Sequence, residues 1–264
     1  MIPNFKTDRL DVELKEITIG AIIELASIPI LKNERGLTLF LNNVVKNANR
    51  PVVDWTVNER YACFIHYMIA TVGDSSDESG IRFSDYLTGI PSMLEHDDFG
   101  NEIRPTFETV EMLEGGKEKV HKYQIQRLTT EYLEAIEELV QGGAVRGHEG
   151  AAAYELAAIA AQVIEEGATD QAENGLIIQE LVHARINAVL ECTELEYEEL
   201  RNNWLRGNAP DNPYVNIAWG RDGVVCVCAN PSKGETEAGE IPVARFCFHA
   251  FISERARETW GQPV

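Results

Sequence analysis

Residues Tyr214-Val-Asn-Ile-Ala-Trp219, Gly220-Arg-Asp-Gly223 and Val224-Val-Cys-Val-Cys-Ala229 mark the place where the chain changes period. Two short runs rich in β-branched and aromatic residues flank a four-residue stretch bounded by glycines, which is the pattern of a hairpin. A polar loop from Pro231 to Glu240 follows, and Pro242 to Phe251 reads as a third strand. The expected unit is a three-stranded antiparallel meander, and a sheet that small needs a helical surface to pack on.

Upstream of this stretch the dominant spacing is three and four residues, that of helices with one apolar face. Leu14, Ile17, Ala21, Leu25 and Ile28 predict a helix that Pro29 terminates, and Leu37, Phe40, Leu41, Val44 and Val45 predict a second. Thr56 and Glu59 have the spacing of a reciprocal cap ahead of Tyr61, Phe64, Ile65, Met68 and Val72. An acidic, Ser-rich loop spans 73–80, the run 88–116 has no lasting periodicity, and Val120 to Ile125 alternates as one strand. Helix returns from Leu128 to Leu139, where Gly142-Gly143 stops it, and again in the alanine-rich run Gly150 to Glu166. The run Gln171 to Leu190 is apolar on more than one face, as a central helix would be, and Thr193 with Glu196 repeats the capping spacing before Leu200 and Trp204. We therefore expect an α+β fold, predominantly α-helical. Its four segments are an N-terminal helical bundle (1–90), an irregular linker with one strand (91–127), a second helical region (128–209) and a C-terminal β-rich module (210–264).

A chain of 264 residues with 44% hydrophobic residues can bury a sizeable core without disulfides or metals. Its 23 Lys and Arg stand against 43 Asp and Glu, a formal charge of −20, and no basic patch interrupts that excess, so nucleic acid is not an expected partner. The apolar runs Gly20 to Leu31 and Ala151 to Ile164 are shorter than a span of about 20 residues and contain Glu24 and Glu155, so no membrane partner is expected either. The start, Met1-Ile-Pro-Asn-Phe5, lacks the basic and apolar regions of a secretory leader. Five cysteines, an odd number, fit free thiols in a reducing compartment.

The sharpest chemical pattern is Cys226-Val-Cys228 on one expected strand and Cys247-Phe-His249 on another. Residues two apart share a strand face, so in a suitable register Cys226, Cys228, Cys247 and His249 would form a square of soft ligands for zinc or iron. The competing reading is packing, because free cysteine is often buried and the neighbours Val224, Val225, Val227, Phe246 and Phe248 are core formers. The remaining histidines, His66, His96, His121, His148 and His183, fall in no metal-binding frame. Glu95-His96-Asp97-Asp98 and Asp74 to Glu78 lack the oxygen spacing and glycine of a calcium loop. Gly142-Gly143-Ala-Val-Arg-Gly147 follows a helix and has no P-loop ending, and no Gly-x-Ser-x-Gly elbow occurs. With so many carboxylates no general acid and base pair stands out, so catalysis is not expected.

Four stretches are similar to the tail and baseplate proteins of long-tailed bacteriophages, above all the hub and hub-assembly proteins of contractile-tailed phages: Leu14-Lys-Glu-Ile-Thr-Ile-Gly-Ala21, Trp55-Thr-Val-Asn-Glu-Arg-Tyr61, Ser84-Asp-Tyr-Leu87 and Pro242-Val-Ala-Arg-Phe-Cys-Phe-His-Ala-Phe-Ile-Ser253. The Cys226, Cys228 and Cys247 cluster has no counterpart in that pattern. The resemblance implies a structural or assembly protein without an active site or cofactor, placed in a virion tail or in the host cytoplasm during assembly. Its partners would be tube, sheath, spike or tape-measure proteins in an oligomeric assembly.

Overall fold

A computed structural model describes residues 2–74, 81–89, 104–113, 117–145, 149–166, 177–208, 214–229, 243–248, 250–253 and 255. In chain order the elements are β1 (Phe5–Lys6), β2 (Asp11–Leu14), α1 (Ile19–Ala26), α2 (Asn33–Val44), β3 (Val45–Ala48), α3 (Val57–Val72), β4 (Thr106–Leu113), β5 (Lys117–Ile125), α4 (Thr130–Gln141), α5 (Ala151–Gln162), β6 (Val163–Glu165), α6 (Ile178–Leu190), α7 (Glu194–Asn208), β7 (Asn216–Gly220), β8 (Gly223–Val227) and β9 (Val243–Ala244). The fold is α+β, and the described residues form three small antiparallel sheets ordered β1-β2-β3, β4-β5-β6 and β7-β8-β9. Two compact units divide the chain: Met1–Ser92 with Asn212–Val264, and Met93–Asp211. The expected segment 1–90 and, from Asn212 onward, the expected segment 210–264 thus belong to one unit.

In the first unit, α3 is built on the predicted cap: Thr56 accepts from the Glu59 amide while the Glu59 carboxylate accepts from the Thr56 amide. The first helix differs from expectation. Asp11-Val-Glu-Leu14 alternates exposed and buried residues as strand β2, and the helix starts only after Thr18, whose hydroxyl accepts from the Ala21 amide. At the end of α2 the chain passes directly into β3, which pairs with β2, so residues 1–90 hold a sheet as well as helices. The expected helical bundle thus carries a sheet that the spacing did not announce, because a strand of two or four residues is too short to display its period of two beside a helical stripe.

The C-terminal sheet matches expectation through β7, the turn at Arg221-Asp222 and β8. Its third strand does not. Pairing is confined to Val243–Ala244, and the backbone is helical at 248, 250–253 and 255, with Ala250 and Phe251 amides donating to the Cys247 carbonyl at 3.1 and 3.4 Å. The change of period places Phe248 and Phe251, three residues apart, on one side. Phe251 meets Phe40, Phe64 and Tyr67 edge-on, with ring centroids 5.8, 5.8 and 6.2 Å away. Burying those rings among α2 and α3 outweighs continuing a strand, since aromatic side chains carry the largest apolar area per residue.

A polar network lies inside the same core. The Tyr61 hydroxyl donates to Glu34 Oε1 at 2.5 Å, Asn33 Nδ2 donates to the Tyr61 hydroxyl at 3.0 Å, and Arg60 Nη2 donates to the Glu34 carbonyl at 2.7 Å and to Thr38 Oγ1 at 3.1 Å. The Asn33 amide oxygen accepts from the Phe248 backbone N–H at 3.2 Å, which ties the C-terminal turn to the start of α2.

In the second unit the run 91–127, expected to be an irregular linker with one strand, contains a long hairpin. β4 and β5 pair from Thr106↔Gln124 to Leu113↔Lys117. β6 adds to β5 after α5 ends, where Val163 and Ile164 find ladder partners in Ile125 and Gln124. Helix α5 is the buried centre, with Ala153, Tyr154, Leu156 to Gln162 shielded. Helix α6, expected to be covered on several sides, buries one face, Leu181, Val182 and Ile186. Gln162 joins the layers: its Nε2 donates to the Gln126 carbonyl and to Asn208 Oδ1, and its Oε1 accepts from Trp204 Nε1 at 2.9 Å. Gly207 allows α7 to lie against β5, since a Cβ there would fall 2.2 Å from Ile125 Cδ1.

Candidate functional site

A cleft of about 290 Å³ opens in the second unit between the β4–β5 hairpin and the corner joining α6 to α7. The register Phe107↔Tyr123 and Thr109↔His121 sets these residues on one sheet face. Their rings form a ladder: Phe107 and Tyr123 stack at 5.1 Å and 21°, and His121 continues the stack at 6.3 Å and 16° from Tyr123. His121 Nδ1 lies 2.6 Å from Glu165 Oε1, a bond that joins β5 to β6 and fixes the imidazole plane. Burial, then the charge of Glu165, pushes the Tyr123 phenol up, so the ring is neutral.

The opposite wall is set by the short corner after α6. Thr193 and Glu196 exchange hydrogen bonds, with the Thr193 amide donating to Glu196 Oε2 at 2.7 Å and the Glu196 amide donating to Thr193 Oγ1 at 3.3 Å. This is the reciprocal cap expected from the spacing, and it holds the corner in one conformation. It also lowers the Glu196 carboxyl, chiefly through the Thr193 amide, so this wall keeps its charge. Glu196 and Glu199 project from α7, Glu191 caps α6, and none of the described residues lining the cleft is Lys or Arg. Cys192 shares the wall, donating to the Ala188 carbonyl at 3.6 Å, and burial followed by the Glu196 charge raises its thiol. A raised thiol is the opposite of what a nucleophilic cysteine requires. The cleft combines fixed negative charge with stacked π faces, an arrangement that attracts cations.

The residues picked out from the sequence lie elsewhere. Cys226 on β8 and Cys228 just past its end are both buried, and burial followed by the Glu34 charge pushes the Cys226 thiol well above its ordinary value. The register Cys226↔Ala244 places Ala244 opposite Cys226. Cys247 falls past the end of β9 and is half-buried, and His249 lies outside the described residues. Strand pairing therefore does not bring Cys247 opposite Cys226, and the described residues contain no group of three or more His, Cys, Asp or Glu placed for a metal. His66 Nε2 meets the Pro3 carbonyl at 3.0 Å and His183 is exposed on α6. His96, His148, the run Glu95 to Asp98, residues 75–78 and the loop Pro231 to Glu240 lie outside the described residues, while Asp74 accepts from the Ser84 amide and hydroxyl.

His121 and Tyr123 were readable in one respect: they alternate with Val120, Lys122 and Gln124, which places them together on a strand face. Their partners are far away in sequence, so nothing local joined them to Glu191 or Glu199. No helix among the described residues is long and apolar enough to cross a membrane. Comparison with protein-family models, curated proteins and solved structures gives no match for the chain.

Proposed function

We propose that the chain is a structural or assembly protein that works through protein–protein contacts, and that the tail or baseplate of a long-tailed phage, which four of its segments resemble, is the assembly it serves. The observation that carries this reading is β4. It runs for eight residues, pairs with β5 on one side, and among the described residues no strand pairs with its other side. Val110 on it is 54% exposed. A long edge strand offers a row of backbone donors and acceptors to which an extended partner segment can add, with affinity from the main chain and selectivity from alternate side chains. The acidic exterior keeps such a surface from pairing with copies of itself. The partners are other tail proteins, in the virion or in the host cytoplasm during assembly. Size-exclusion with light scattering, run with the proteins encoded beside this chain, tests the reading. Formation of a defined complex supports it, and a persistent monomer that enters no particle overturns it.

A further inference from the structure

We infer that the cleft over the β4–β5 hairpin receives a lysine or arginine side chain from an extended partner segment that pairs with β4 as a fourth strand. This rests on the reading of the chain as a contact protein, and it names the chemistry of one contact.

Register comes first. Thr109 lies opposite His121 and both line the cleft. Side chains paired across neighbouring strands share a face, so the residue of an added strand opposite Thr109 projects toward the cleft rather than away from it. Its neighbours on either side project to the far face, so one position in the segment carries the selectivity.

Charge and shape then select the side chain. Glu191, Glu196 and Glu199 supply carboxylates, with no lysine or arginine among the described lining residues. The ring ladder beside them suits a cation with a hydrocarbon stem, because lysine and arginine lay their methylenes along apolar surface while the charged head reaches polar groups. A volume of about 290 Å³ lies just below the range of ligand cavities, roughly 300–1,000 Å³, and fits one long side chain better than a larger organic ligand.

The test uses the full chain and a capped heptapeptide alternating Thr and Val around a central Lys, with analogues carrying norleucine or Glu at that position. Titration by calorimetry and by amide chemical shifts should show the Lys peptide binding, with shifts centred on Thr109, Val110, Cys192 and Leu200. Norleucine should weaken binding about tenfold, as should the double variant Glu191→Gln/Glu199→Gln, whose sites are exposed. The Glu peptide should not bind, and raising salt from about 0.05 to 0.5 M should weaken the Lys peptide. Equal affinity for Lys and norleucine, shifts centred elsewhere, or no binding by any peptide overturns the inference. Normal entry of the double variant into the assembly overturns this inference alone, whereas a chain that joins no assembly overturns the reading on which it rests.

Discussion

The ring of Phe248 stands directly over the α-carbon of Gly36, so close that a Cβ at position 36 would fall 1.8 Å from Phe248 Cε1. Glycine is required here for space rather than for backbone freedom. Gly36→Ala gains roughly 1 kcal/mol of helix propensity but must push a fully buried ring out of a packed core, a cost of about 1–3 kcal/mol or more. We expect net destabilisation, read by urea denaturation. Phe248→Ala removes the obstruction, so the double variant should lose less than the sum of the two single losses. Additive losses would show that the ring and the helix do not press on each other.

Glu34 and Arg60 form a buried pair, with Arg60 Nη2 3.5 Å from Glu34 Oε2 and the Arg60 side chain fully shielded. Removing one partner strands the other's charge in the core, which costs about 3–5 kcal/mol, whereas replacing both by apolar residues of similar size is often near neutral. Glu34→Ala should therefore destabilise severely, and Glu34→Leu combined with Arg60→Met should be more stable than Glu34→Ala. Denaturant midpoints decide the order. A double variant as unstable as Glu34→Ala would mean that the hydrogen bonds to Thr38 and Tyr61, rather than the charges, hold the site.

Alkaline pH should destabilise the first unit. Burial raises the thiols of Cys63 and Cys226 and the phenol of Tyr61 above their ordinary values of 9.0, 9.0 and 10.0. For groups raised in the folded state, the unfolded chain releases its protons first. The stability is thus fully present below the ordinary values and is lost as pH climbs past about 9, at up to about 1.4 kcal/mol per pH unit for each group. Urea midpoints measured from neutral pH upward should fall from that point, and the alkaline slope should be shallower in Cys226→Ala. A flat profile through that range would show that these groups ionise alike in the folded and unfolded chain.

Long, strongly periodic elements were legible in the sequence. The stripes of α2, α3 and α4 and the hairpin at Gly220 to Gly223 each carry enough repeats to declare a period, and α7 was announced by its cap at Thr193 and Glu196. What escaped was short or non-local. β2 and β3 exist because three residues of each find the other across more than thirty positions, and β6 exists because Val163 and Ile164 meet β5. At 246–251 the alternation of Phe246, Phe248 and Ala250 suggested a strand, yet Phe248 and Phe251 also fit a helical turn, and the pocket above Gly36 selected it. The cleft was the least legible feature, since its two walls are separated by more than sixty residues, and only the alternation that pairs His121 with Tyr123 and the cap of Thr193 and Glu196 were visible beforehand.

That register also bears on the thiols of the C-terminal sheet. With Cys226 opposite Ala244, even-numbered positions of the final segment share the face of Cys226 and Cys228, and Cys247, at odd offset, would point away even if the strand continued. Burial and the neighbouring Glu34 favour thiol over the thiolate that a metal needs. We therefore expect elemental analysis of protein purified without chelator to find zinc and iron far below one atom per chain, and a chelator to leave the melting midpoint unchanged. Stoichiometric metal, with cooperative loss of structure on its removal, would establish the opposite: that Cys247 and His249 swing onto Cys226 and Cys228, and that the C-terminal turn is closed by ligation rather than by the packing of Phe248 and Phe251.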